Sequence, residues 1–100
     1  MNTDTMPTQQ KIAELTEAIR DLLLYKNGRY GDSALNPKKI FYKGDARNAI
    51  LIRLDDKLGR VAANTDGTPR INDVADIIGY CMLLLISMGA TQADIKALMD

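Results

Sequence analysis

The stretch from Ile71 to Met88 constrains this chain most. Ile71, Val74, Ala75, Ile77, Ile78, Cys81, Met82, Leu85, Ile86 and Met88 recur at helical spacing and cover most of a helix circumference. Asp73, Asp76, Tyr80 and Ser87 crowd into one narrow arc, with Leu83 and Leu84 flanking it. Such a helix needs apolar cover on several sides, and its acids need water or a polar partner. A charge in the first helical turn suits the helix dipole, which accounts for Asp73 and in part for Asp76. The apolar flanks of Asp76 and Tyr80 point instead to a polar cleft. One small bundle cannot cover so wide an apolar arc, so part of this helix is expected to pack on another subunit, most simply in a twofold dimer.

A second helical pattern precedes it. Asp45 is a suitable N-cap, and Ile50, Leu51, Leu54, Leu58, Val61 and Ala62 share one arc of a helix running to Ala63. Arg53, Asp56, Lys57 and Arg60 share another, and Asp55 falls on the far edge of the apolar arc. That charged stripe reads equally as a surface ladder of ion pairs or as a cation- and phosphate-binding face. Between the two helices Asp66-Gly67 signals a turn, Thr68 a cap and Pro69 a first helical position. A break this short predicts an antiparallel helical hairpin.

Upstream, a helix starts near Pro7 to Gln10, with Ile12, Leu15, Ile19, Leu22 and Leu23 as its core stripe. Glu14, Glu17 and Asp21 fall on the opposite arc and read as a solvated face rather than a metal pair. From Tyr25 to Gly44 the pattern fails. Asn27-Gly28 reads as a helix stop, and a long connection is expected that holds Tyr25, Tyr30, Phe41 and Tyr42 among Lys26, Arg29, Lys38, Lys39 and Lys43. Aromatic faces beside cationic ends suit a stacked base and its phosphate, whereas the plainer reading is a loop pinned to the core by Tyr30, Phe41 and Tyr42. Downstream, Thr91 caps a short helix through Leu98. The expected fold is all-α: a small bundle of about four helices around a central antiparallel hairpin, with residues 1–8 flexible and 9–100 a single domain.

Composition narrows the chemistry. Thirteen basic residues balance thirteen acidic ones, so no global field draws in nucleic acid or an anionic membrane. The longest apolar run, Tyr80 to Ile86, is far short of the ~20 residues of a spanning helix. The amino-terminal residues lack the basic start and apolar centre of a secretory signal, and the lone Cys81 suits a reducing compartment, so a cytoplasmic location is expected. Histidine is absent, which removes imidazole bases and a common zinc ligand. Oxygen ligands suit Mg²⁺ or Mn²⁺.

Asp73-x-x-Asp76, opening a long apolar helix that ends in Leu-Leu-Leu-Ile-Ser-Met-Gly, resembles the Glu-x-x-Asp helix of the all-α nucleotide pyrophosphohydrolases, the MazG-like superfamily. The preceding helix, with Asp55-Asp56, is similar to that superfamily's Glu-x-x-Glu helix. More narrowly, Tyr30-Gly31-Asp32, Arg53-x-Asp55-Asp56-Lys57-x-x-Arg60 and Asn72-Asp73-x-x-Asp76-x-x-Gly79-Tyr80 resemble a small, largely phage family called nucleotide modification associated domain. The resemblance covers roughly residues 25–88. It implies a dimeric or larger helical phage protein, in the host cytoplasm, that binds a nucleoside triphosphate with Mg²⁺ and releases pyrophosphate. By position, Asp56, Asp73 and Asp76 would ligate metal and serve catalysis, with Asp55 a further ligand. Arg53, Lys57 and Arg60 would meet phosphate, and Lys26, Tyr30 and Tyr80 the rest of the substrate. One departure stands out: Gly59 and Arg60 occupy the place of the second Glu-x-x-Glu carboxylate, which implies weaker metal and stronger anion binding. A non-catalytic nucleotide-binding or signal-sequestering protein is the alternative, and a purely structural helical adaptor a third reading.

Overall fold

The computed structural model describes residues 6–36, 44–64 and 67–100, and among them every regular element is helical. The chain divides into two compact units at the Gly31–Asp32 boundary. The described residues of the first form one helix, α1 (Pro7–Tyr30), with proline where its missing N–H leaves no hydrogen bond unmade. It runs through Asn27-Gly28, where a stop was expected, and ends at Gly31 with φ 63°, whose N–H donates to the Asn27 carbonyl. A glycine inside a helix costs only about 1 kcal/mol relative to alanine, so Gly28 is tolerated and the left-handed stop falls three residues later. Tyr25, Lys26, Arg29 and Tyr30 therefore stand on a helix, a correction to the expected loop. Residues 37–43, with Lys38, Lys39, Phe41, Tyr42 and Lys43, lie outside the described residues. No side chain of α1 is buried, and Ile12 and Leu15 of its apolar stripe are exposed.

The second unit holds α2 (Ala46–Ala62), α3 (Ile71–Ser87), α4 (Gln92–Lys96) and a terminal 3₁₀ turn (Ala97–Met99). Asp45 caps α2 as expected, its carboxylate accepting the Asn48 N–H at 2.8 Å. α3 starts two residues later than Thr68-Pro69 suggested. Arg70 is its N-cap, in extended conformation, while the Thr68 carbonyl accepts a hydrogen bond from the Asn64 amide. Asp66 of the expected turn lies outside the described residues. α3 ends in a Schellman motif: Gly89, at φ 75°, donates to the Ile86 carbonyl at 2.9 Å and Ala90 donates to that of Leu85 at 3.0 Å. Thr91 and Asp94 then cap α4 reciprocally.

α2 packs on α3. The first turn of α2 meets the end of α3 through Arg47, which donates to the Ser87 hydroxyl and carbonyl. Further along α2, Lys57 reaches Asp73 and Asp76 near the start of α3. The residues of α2 turned inward are Ala46, Ala49, Ile50, Leu54, Lys57 and Val61, within an arc of roughly 140° at ~100° per residue. Ile50, 1% exposed, is the one fully buried large side chain among the described residues. Leu51 and Leu58, expected in the core, are exposed, because the inward arc is turned toward Lys57 relative to the apolar arc of the sequence.

Among the described residues no single helix is long and apolar enough to cross a membrane.

Candidate functional site

The polar arc of α3 faces α2. Asp73 is buried at 6% exposure, and Asp76, Tyr80 and Ser87 are half-buried. Between the helices stands the ammonium of Lys57, 2.9 Å from Asp76 Oδ2 and 3.7 Å from Asp73 Oδ1. The two acids are three residues apart and so lie on one side of α3, one above the other. One cation serves both. Lys57 lays its apolar stem along the inward stripe of α2 and keeps its charged head at the polar seam, as an amphipathic side chain can. Its side chain is 19% exposed, so the pairing is only partly screened by water.

The residues expected to form a site are thus sorted by the two helices. Lys57, Asp73 and Asp76 come together, with Tyr80 one turn further along the same face of α3. Asp56, one residue before Lys57 and so ~100° round α2, is exposed, as is Asp55. Arg53 and Arg60 are exposed on α2 at ~40–60° from the direction of Lys57. Lys26, half-buried, and Tyr30, 62% exposed, stand on the last turns of α1 in the other unit.

The donor set does not fit the divalent ion that the resemblance implies. Among the described residues no three carboxylates or other metal-ligating side chains gather, and the two that converge already hold an ammonium. A divalent ion 4 Å from that ammonium would be repelled by roughly 8 kcal/mol at an effective dielectric of 20.

The Arg47–Ser87 pair was not anticipated. Arg47 donates through Nε to Ser87 Oγ at 3.2 Å, and Ser87 in turn donates to the Leu84 carbonyl at 2.7 Å. The signal was there: an arginine in the first helical turn opposes the helix dipole and calls for a compensating acceptor. This pair borders an open hollow of about 440 Å³ lined by Leu35, Asp45, Ala46, Arg47 and Ser87, of which only Ser87 falls in the stretches that carry the resemblance.

Comparison with known proteins gives no matching family, no similar curated sequence and no similar solved structure. The MazG-like resemblance rests on the quoted motifs alone.

Proposed function

We propose that this chain is a nucleotide-binding helical protein that works as a homo-oligomer, with the polar seam of an antiparallel α2–α3 hairpin as its binding edge. The observation that supports it is the convergence of Asp73 and Asp76 on a single cation between the two motif-bearing helices. That cation is Lys57, which favours holding a nucleotide over the Mg²⁺-dependent release of pyrophosphate. Lys57, Asp73 and Asp76 together carry one positive and two negative charges, so attraction for phosphate must come from Arg53 and Arg60 beside them. A thermal-shift panel of nucleoside mono-, di- and triphosphates, with and without Mg²⁺, tests the reading. Ligand at ~100 times its Kd adds about 2.7 kcal/mol, a rise of several degrees, and the Arg53→Ala, Arg60→Ala double variant is expected to lose it. No shift with any nucleotide overturns the binding reading. Pyrophosphate release by the wild type would instead restore the hydrolase reading.

A second reading, a helical assembly protein without a small ligand, is favoured by the outward face of α3. Ile71, Val74, Ile78, Cys81, Met82 and Ile86 are all exposed there, with no charge among them. Val74, Ile78, Met82 and Ile86 fall every fourth residue and form one ridge, suited to packing against the same ridge of a second copy. Sedimentation of the wild type as a monomer at micromolar concentration would sink the oligomer in either reading.

A further inference from the structure

We infer that Lys57 is the resident cation of the Asp73–Asp76 pair: the chain supplies from its own α2 the positive charge that the acid motif of α3 otherwise takes from a divalent ion. This goes beyond nucleotide binding and does not depend on it.

Three observations carry the assignment. The ammonium lies within ion-pair distance of both carboxylates, at 2.9 and 3.7 Å, so it occupies the place on which they converge. Asp73 is 6% exposed, and burying a carboxylate is costly without a compensating charge or donors beside it. Lys57 stands in the inward stripe Ala46, Ala49, Ile50, Leu54, Lys57 and Val61, so packing of the stripe aims its stem at α3. An ammonium is a compact charge with three donors that can turn to serve two acceptors, which suits a bridge between carboxylates on successive turns of one helix. Against the Glu-x-x-Glu pattern, the helix facing the acids here brings a cation to the seam while Asp56 faces solvent. The consequence is a seam whose integrity is independent of metal. Mg²⁺ or Mn²⁺ could enter only by displacing a side chain of like charge.

Manganese alone is the probe. Mn²⁺ is titrated against the full chain while its free-ion paramagnetic resonance signal is followed, for the wild type, Lys57→Gln, and Lys57→Gln with Asp76→Asn. The wild type is expected to take up no saturable Mn²⁺ below 1 mM. Lys57→Gln is expected to gain one ion per chain at least tenfold more tightly than any wild-type uptake, and the double variant to lose that gain. Should Lys57→Gln fold poorly, circular dichroism with and without Mn²⁺ reads the same point, with recovery of helix on adding the ion expected. Stoichiometric Mn²⁺ uptake by the wild type, abolished by Asp73→Asn, overturns the assignment. So does a Lys57→Gln variant that neither binds the ion nor recovers helix with it.

Discussion

The two faces of α3 invert the usual distribution of polarity. The face turned to α2 carries Asp73, Asp76, Tyr80 and Ser87, and the acids among them are buried or half-buried. The face turned away carries Ile71, Val74, Ile78, Met82 and Ile86, with Ile71 at 87% exposure. In an ordinary surface helix the charges would be outside and the apolar side chains in. Burying carboxylates costs free energy unless they are paired, and exposing a contiguous apolar ridge forgoes the main favourable term of folding. Both costs fall on one helix, and a single arrangement removes them together. The inner face is satisfied within the chain by Lys57 and Arg47, and on the proposed reading the outer face is left for another copy to satisfy. On that reading specificity belongs to the seam and bulk stabilisation to the proposed assembly.

The outer face is the one whose disruption should cost most. Placing carboxylates on its ridge with Ile78→Glu and Met82→Glu forfeits the burial of two large side chains per chain. Only the 39% and 44% of Ile78 and Met82 that is exposed is left for a partner to cover, so at about 1.5–3 kcal/mol for full burial of each the loss is roughly 2.5–5 kcal/mol per dimer. Loss of the oligomer in sedimentation, with loss of helical signal at micromolar concentration, is expected. If assembly is linked to folding as proposed, the melting temperature of the wild type should rise with protein concentration. Cys81, exposed on the same side of the chain, should be alkylated more slowly as concentration rises. Concentration-independent melting would remove the distinction between the two faces.

The inner face comes next. Lys57→Ala takes their shared cation from Asp73 and Asp76 and should destabilise by about 2 kcal/mol, read from urea unfolding, because buried Asp73 loses the charge that compensates it. Replacing the whole cluster by apolar residues of similar size, with Lys57→Met, Asp73→Leu and Asp76→Leu, should be close to neutral for stability. If the apolar triple variant is as stable as the wild type yet no longer responds to nucleotides, the cluster serves binding. If it loses neither property, the seam is packing alone. Arg47→Ala removes an exposed arginine and its bonds to Ser87, so a smaller loss of about 1 kcal/mol is expected.

What the sequence showed and what it hid follow the same division. The narrow polar arc of Asp73, Asp76, Tyr80 and Ser87 was readable from spacing alone, and its preference for a cleft over open solvent followed from its apolar flanks. The caps at Asp45 and Thr91 and the stop at Gly89 were legible too, because each rests on local hydrogen bonds or on a left-handed backbone that few residues adopt. The rotation of α2 was not. A helical projection fixes the angles between side chains but not which arc a partner will select. The acids of α3 select Lys57, leaving Leu51 and Leu58 outside and Asp56 in solvent. The continuation of α1 past Gly28 was hidden for a related reason. Asn-Gly permits a stop, but whether the chain takes it depends on the next glycine, and here Gly31 does so.

The smallest expected effect lies on neither face and sets the baseline against which both are judged. Asp94 accepts the Thr91 N–H at 2.8 Å and the Thr91 hydroxyl at 3.0 Å, in the cap of α4. The backbone bond first, and the hydroxyl second, hold its carboxyl below the ordinary 3.8. A carboxylate whose folded value is depressed stabilises the fold above its unfolded value, and that contribution disappears as pH falls through the lowered one. The cap should therefore be intact at neutral pH and fail only in acid, below 3.8. Titration of the Asp94 carboxyl carbon by nuclear magnetic resonance should give a midpoint below the ordinary value in the wild type. In Thr91→Ala the midpoint should move part of the way back, because the backbone donor survives the substitution. Asp94 is fully exposed and water screens it, so Thr91→Ala should alter neither the oligomeric state nor the response of Lys57 variants to manganese. A change in either would mean that the end of the chain is coupled to α3, and that the two faces cannot be treated as separate devices.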